Sequence, residues 1–579
     1  MRPSRDVVPW LIALLLLVVL GVLAVQRWRA THDELGTRTA ATGLPLTREQ
    51  KSVEFRTADL SFEIFPDSQS ISGHALLGFV VRQPITKLQF DLDPKLPISA
   101  IAADGHPLDQ AAWHNADGQV SVTLPAPKRA GDTLRLAIDY AGHPHVAKRA
   151  PWDGGFVWSH TPAGKPWVAT AVEGEGCDLF WPCFDNSLVE VGTVALHITV
   201  PPGLAAPANG RLTGIRHLAD GRTTFDWVTH NPNNYAIALD VAPYSHLHGE
   251  VLSRFGNRVP IDYWYQGERD KAKKLFAEFA PTLAFFEANI GPYPFAAEKL
   301  GVVQTPHLGM EHQTINAYGN AYKPAPEGYD WLFQHEFSHE WFGNQMTNRD
   351  WDDMWLHEGF GSYMQPLYAR WIGGEMPYHE TLWTERTKIA NKFPIVSGHH
   401  QTESMVYDPK TGPGGDIYVK GSWVLHTLRG LIGDEAFFRA TRRLVYGRPD
   451  PRPGNFTTRL SSTDEFVALA GEESRRDLKW FFDVYLRRAQ LPRLVDRREG
   501  NRVTLQWRTP GGLPFPMPVD VRVGDDTRTV VMAGGHGEFA LPSPATHYVL
   551  DPDSKLLRKD DAIDRFRDWT TAQKDKKPS

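Results

Sequence analysis

The sequence predicts a multi-domain α+β protein with an N-terminal antiparallel β domain over 50–247, a mainly helical domain over 248–490 and a small C-terminal β domain over 491–558. Three observations predict it. Apolar and polar residues alternate in short runs up to about residue 245, with turn residues between the runs. The apolar spacing changes to that of helices near residue 267, and the alternating runs return after Leu491-Pro492. A chain of 579 residues has room for roughly three or four domains. Its 41% hydrophobic content and 19 tryptophans can fill large cores, which excludes a mostly disordered chain.

The first domain rests on strands such as 60-LSFEIF-65, 87-KLQFDLD-93, 133-TLRLAIDY-140 and 195-ALHITV-200. Asp117-Gly118 and Ala130-Gly131 mark turns, and Asp220-Gly221 predicts a two-residue hairpin between 212-LTGIRHL-218 and 223-TTFDWV-228. In the second domain Ala272, Leu275, Phe276, Phe279, Leu283 and Phe286 follow helical spacing. Pro281 lies inside that run and predicts a kink or an early break. A strand at 299-KLGVVQT-305 precedes helices predicted over 329–344, 353–371 and parts of 419–490; Ser462 to Glu465 reads as a capping box opening one of them. The last domain has strands at 502-RVTLQW-507, 517-MPVDVRV-523, 528-RTVVMA-533 and 546-THYVL-550.

Outside these domains, residues 7–25 read VVPWLIALLLLVVLGVLAV, 19 residues without a charge, enough for a membrane-crossing helix. Residues 1–30 are therefore predicted as a membrane or signal-anchor segment with the rest exported. A secreted form cleaved near Val22-Leu23-Ala24 is the alternative. Residues 31–49 then form a linker and 559–579 a polar tail. Cys177 and Cys183 are the only cysteines, and an exported location permits a disulfide between them. The net charge of −6, without basic blocks, gives no reason to expect nucleic-acid binding.

The strongest chemical signal is 335-HEFSHEWFGN-344. On a helix His335 and His339 project from one face and can share a zinc ion, with Glu336 placed to take a proton from water. Three specified residues at this spacing arise by chance in roughly one chain of this size in twenty, so a third ligand is the test. Downstream, 351-WDDMWLHEGFGSYMQ-365 offers His357 and Glu358. Neighbours on a helix point about 100° apart, so only one can face the metal, and spacing does not choose.

HExxH, 18 residues and a Glu, in WFGN and WLxEGF contexts, resembles the zinc aminopeptidase family of aminopeptidase N and leukotriene hydrolase, here in a membrane-anchored short form. The resemblance implies a thermolysin-like catalytic domain whose third zinc ligand is Glu358. His357 stands where the family usually has Asn. It also implies an amine anchor at Glu311, because Met310 and Glu311 in 307-HLGMEHQTINAYGN-320 match the Met-Glu of the family's Gly-Ala-Met-Glu-Asn motif, with Gly309 at the Ala position. Leu308 and His312 depart from it, and His312 could add positive charge beside the anchor. A second anchor falls at Glu173 in 170-TAVEGEGCDLFWPCFDN-186, with Glu175 as competitor. The tyrosine of 418-YVKG-421, Tyr418, is implied as the donor to the oxyanion. Only about 90 residues follow Leu491, so the helical bowl of larger relatives is not expected.

Together these readings imply a zinc-dependent aminopeptidase acting on peptides with a free N-terminus. The alternatives are another zinc hydrolase on the same scaffold, an endopeptidase or epoxide hydrolase, and an inactive peptide-binding scaffold. The sequence does not give the oligomeric state.

Overall fold

The computed structural model describes residues 35–454 and 456–574. The apolar segment 7–25 lies outside them. Among the described residues no helix is long and apolar enough to cross a membrane.

The N-terminal domain is built on an eight-stranded sheet. Its long central strand, Val53–Phe65, alternates buried and exposed positions, and Leu60, Phe62 and Ile64 enter the core. On one side it pairs antiparallel with Ser70–Val81. On the other it pairs parallel with Thr193–Val200, so the sheet is not purely antiparallel as predicted. Alternation records which face is buried, not the direction of the neighbouring strand. The hairpin between Arg211–His217 and Thr223–His230 is also longer than predicted. Leu218 N donates to Arg222 O (2.9 Å), which leaves three residues in the loop, with Gly221 at φ +86°. That is the three-residue hairpin in which glycine takes the left-handed position. Cys177 and Cys183 are joined by a disulfide.

The described part of the predicted linker, residues 35–49, is a packed strap. Thr47 caps a short helix, Arg48–Lys51, in a full capping box. Upstream, the Arg38 guanidinium meets buried Asp91 (3.2 Å) and the Thr39 hydroxyl donates to buried Asp178 (2.9 Å). At Gly43, φ is +78° and an added Cβ would lie 2.5 Å from Trp351 Nε1. The strap therefore touches both the β domain and the helical domain. These are single polar contacts without periodicity, which is why the sequence reads as a linker.

The second domain opens with a five-stranded sheet in the order Ser245–Leu252, Arg258–Tyr265, Leu300–Gln304, Asn316–Tyr318, Gly309–Met310. Trp264, Val303, Met310, Ile315 and Ala317 join the core of the N-terminal domain. Met310 and the residue after it thus stand at the seam between the domains. The predicted break near Pro281 occurs at Glu278, between helices Arg269–Ala277 and Phe279–Asn289. Pro281 then sits in a first turn, where its missing N–H costs nothing. Helix Glu375–Arg386 was not predicted.

The C-terminal unit consists of two three-stranded sheets. Val503, Trp507, Phe515 and Val521 share one hydrophobic core with the helices, so residue 491 marks a change of secondary structure within a continuous core. The polar tail also differs from expectation: Asp561–Lys574 is a helix. Asp561 accepts both forks of Arg493 (2.7 and 2.8 Å), and the Phe566 and Trp383 rings meet at 6.1 Å.

Candidate metal centre

The site begins at helix Trp331–Ser338. Asp330 caps it, accepting from Leu332 N and Phe333 N at 3.1 Å each, a contribution of about 1 kcal/mol. The same carboxylate accepts from Tyr318 (2.5 Å) and Asn320 (3.1 Å), which ties the helix to the sheet. The helix ends at His339, shorter than the predicted 329–344, because the chain turns towards strand Met346–Asn348. His339 keeps helical dihedrals as the cap (φ −69°, ψ −14°), so the two histidines still share a face.

Two further helices, Trp355–Gly373 and Asp416–Ile432, bring the rest. They cross where Gly359 and Gly421 touch: a Cβ on Gly359 would lie 3.1 Å from Gly421 Cα. A Cβ on Gly361 would lie 2.9 Å from Ser338 Oγ and 3.4 Å from both histidine rings. The glycines of the EGFG and YVKG stretches are thus the close-approach points that set Glu358 and Tyr418 beside the histidine pair. Lys420 of YVKG is buried and donates to the carbonyls of Arg488 and Ala489 (3.0 Å each), away from the site.

The donor atoms of His335, His339 and Glu358 converge. His335 Nε2 and His339 Nε2 are 3.3 Å apart, and Glu358 Oε2 is 3.3 and 3.6 Å from them. Bonds of about 2.0–2.1 Å in a tetrahedral zinc shell place ligand atoms roughly 3.3–3.4 Å apart, so the set fits zinc as it stands. His339 Nδ1–H donates to Phe342 O (2.9 Å), which leaves its Nε2 lone pair facing the cluster. Glu358 Oε2 is buried without a hydrogen-bond donor, an orphan that a cation would satisfy. Its other oxygen accepts from Tyr418 (2.9 Å) and Tyr407 (3.2 Å). Burial opposes ionisation of Glu358, but His335, His339 and Tyr418 hold its carboxyl down at about 2. His357, the competing ligand, is turned away and accepts from Asn348 N (3.1 Å).

A cleft of about 620 Å³ runs over this cluster. Among the described residues, seven glutamates line it, and Lys388 is the only lysine or arginine that does. Glu336 rests against bare backbone: a Cβ on Gly309 would lie 2.2 Å from its Oε1. Glu311, Glu336 and His339 offer ligand atoms within 4.8 Å of one another. Glu173 reaches the same cleft from the N-terminal domain, with its Oε1 buried and unpaired. Burial, then the charges of Glu311, Glu358, Glu403 and Glu336, push its carboxyl well above the usual range. Burial followed by Glu311 and Glu358 does the same to Glu336. Glu175 accepts from Gly154 N and belongs to the loop beside the cleft.

The departures from the anchor motif prove mild. Gly309 and Met310 still pair with Tyr318 and Ala317 as the edge strand, so Leu308 leaves the backbone ladder intact. His312 is fully buried and does not line the cleft. Burial, helped by His307, pushes it down to about 3, so it stays neutral and adds no charge beside Glu311, contrary to the sequence reading.

Four positioning residues escaped sequence reasoning. Tyr235 donates to Glu311 Oε1 (3.0 Å) and Tyr407 to Glu358. Asn344 Nδ2 donates to Glu311 O (3.0 Å), and Glu340 accepts from Thr314 N (2.8 Å) and Asn316 Nδ2 (3.1 Å). Glu340 and Asn344 lie inside HEWFGN, so the motif itself was the signal: it stitches the anchor strand to the histidine helix. The two tyrosines carry no such signal.

Comparison with known proteins agrees with this geometry. Residues 326–485 match the peptidase family M1 domain. Human aminopeptidase B is 27% identical over 404 residues, covering 64% of this chain and 58% of the relative. Aminopeptidase N of Streptomyces lividans is 26% identical, covering 44% and 31%. The chain thus spans less than two thirds of these relatives' length. Among solved structures, an M1 zinc metallopeptidase mutant from Deinococcus radiodurans, bound to a Tyr-Ser-Ala substrate, superposes with a TM-score of 0.64 at 25% identity. The match covers 78% of this chain and 98% of that one. The fold, the matched domain and the zinc-spaced donors agree: residues 326–485 carry a peptidase family M1 domain, and the chain is similar to the zinc aminopeptidases of that family.

Proposed function

We propose that the protein is a zinc-dependent aminopeptidase that removes the N-terminal residue from peptides. One observation carries this: a cluster of His335, His339 and Glu358 with zinc spacing lies within one cleft of an unneutralised carboxylate group, Glu311 and Glu173. The cluster asks for a metal, and the second group asks for a substrate cation, the α-ammonium. The peptide bound to the Deinococcus radiodurans neighbour supports peptides as the substrate class.

In this reading His335, His339 and Glu358 hold zinc, which supplies Lewis acidity for activating water and polarising the scissile carbonyl. Glu336 takes the proton of the attacking water and returns it to the departing amine. Burial among carboxylates raises its proton affinity, which suits both halves of that transfer. The Tyr418 phenol donates to the oxygen that gains charge; burial, then Glu358 and Glu173, keep it protonated. Glu311, oriented by Tyr235 and Asn344, and Glu173 hold the ammonium, with Gly309 and Met310 lining the substrate side. An ion pair at that depth fixes where the substrate begins, and a longer N-terminal extension has no place.

Two experiments test this. The zinc-loaded protein should release free amino acid from aminoacyl-arylamides, lose that activity to a chelator and regain it with zinc. Activity untouched by complete metal removal would refute the reading. Tyr418→Phe should keep its zinc and KM while kcat falls roughly 10²–10³-fold, the usual cost of one oxyanion donor. An unchanged kcat would remove Tyr418 from the mechanism.

We also propose that residues 7–25 anchor the protein in a membrane with the catalytic part exported. The 19 uncharged residues and the Cys177–Cys183 disulfide, which suits an oxidising compartment, support this. Alkaline carbonate extraction of membranes tests it: the full chain should stay in the pellet.

A further inference from the structure

A second cluster of metal-binding side chains lies on the outer hairpin of the five-stranded sheet, apart from the cleft. His246 and His248 stand two apart on the edge strand Ser245–Leu252, so they share a face. Across the ladder His248 pairs with Asp262 and His246 with Trp264. One oxygen, Asp262 Oδ1, lies 2.9 Å from His246 Nε2 and 2.6 Å from His248 Nδ1. The three donor atoms fall within 4.8 Å of one another.

We infer that His246, His248 and Asp262 form a second site for a borderline divalent transition metal, zinc being the physiological choice. Two imidazoles and a carboxylate suit zinc, copper or nickel, whereas calcium and magnesium would ask for more oxygens. Three protein ligands leave the fourth position open to solvent water. Metal binding takes the neutral tautomers that carry their proton on His246 Nδ1 and His248 Nε2, so each N–H now aimed at Asp262 Oδ1 exchanges through solvent to the other nitrogen of its own ring. Ligand atoms around zinc stand roughly 3.3 Å apart, so the histidines must back away by less than 1 Å. Their side chains are 33% and 61% exposed and have room to do so.

The support beneath them is rigid. The Asp262 side chain is only 13% exposed. The His246 ring stacks on Trp264 at 4.0 Å with an 8° interplanar angle, and Trp264 meets Trp227 of the N-terminal domain edge-on at 6.4 Å. Two of the three ligands are therefore preset by packing at the seam between the domains. Burial opposes ionisation of Asp262, but its hydrogen bonds to His246 and His248, with the charge of Lys299, hold its carboxyl below the usual range. The Lys299 ammonium is engaged by the carbonyls of Ala208 (2.8 Å) and Gly210 (2.5 Å), and burial lowers its pKa to about 8. A metal here would join the edge strand to Trp264 and brace that seam.

Calorimetric titration of Zn²⁺ into full-length protein already carrying one zinc tests the site. One further equivalent should bind, and His246→Ala and His248→Ala should each abolish it. Both variants should keep the first zinc and unchanged arylamide hydrolysis, which also reports that they are folded. With Cu²⁺ as probe, electron paramagnetic resonance should show coupling to two nitrogens, lost in the double variant. No second equivalent in the unaltered protein, or one that survives both substitutions, overturns the inference. A hydrogen-bonded His–Asp–His triad that binds no metal would be the explanation in the first case. Neither result bears on the cleft, whose zinc is counted separately.

Discussion

Glu336→Gln should leave zinc bound and lower kcat by about 10²–10⁴-fold, the range that a positioned general acid–base contributes. The amide is isosteric with the acid but cannot accept the water's proton. Its surroundings argue for loss of chemistry alone. Glu336 is not in the His335–His339–Glu358 cluster, so metal content should match the unaltered protein. Its carboxylate packs on Gly309 backbone, and Gln keeps that volume. Metal analysis beside steady-state kinetics separates the possibilities. Lost turnover with lost zinc would mean a structural role, and unaltered turnover would place the base elsewhere.

Glu311→Ala should cost roughly 30- to 5,000-fold in kcat/KM for free-amine peptides, from about 2–5 kcal/mol for deleting one partner of a buried ion pair. Zinc content should not change. Glu311 also accepts from Tyr235, so Glu311→Gln serves as the companion that keeps an acceptor there without the charge. If charge recognition is the role, Gln and Ala should be similarly impaired. If Gln restores activity, Glu311 acts by holding Tyr235. The removed negative charge has a second readout. Glu311 raises the proton affinity of Glu336 and Glu173, so the acidic limb of the pH–rate profile should move to lower pH in either variant. The sign follows from the direction of the coupling: with less neighbouring negative charge, Glu336 reaches its ionised, base-competent form at lower pH.

Much of this site was legible because its residues come in fixed local spacings. Helical spacing placed the i, i+4 histidines on one face, and the resemblance to the family pointed to the EGF and YVKG stretches, each of which sits on one helix. The choice between His357 and Glu358 was not legible from spacing. It depends on which way the second helix is rolled, and that is set by the contact of Gly359 with Gly421 from a third helix. Tyr235 and Tyr407 escaped notice because each is a lone aromatic brought in by tertiary packing. The predicted effect of His312 failed for a related reason: sequence neighbours share a backbone but not a solvent environment, and His312 is buried away from the cleft. The three-part architecture followed from hydropathy periods. The strap over 35–47, the tail helix and the parallel pairing of Val53–Phe65 with Thr193–Val200 depend on long-range contacts that periodicity does not encode.

The central claim is that one cleft combines a hydrolytic zinc centre with a carboxylate trap for a free amine. It is tested most directly by incubating the zinc-loaded protein with a peptide and its N-acetylated twin and weighing the products by mass spectrometry. The account predicts stepwise loss of single residues from the free peptide's N-terminus and no cleavage of the twin. Equal cleavage of both, or internal fragments from either, would contradict it and point to an endopeptidase on the same scaffold.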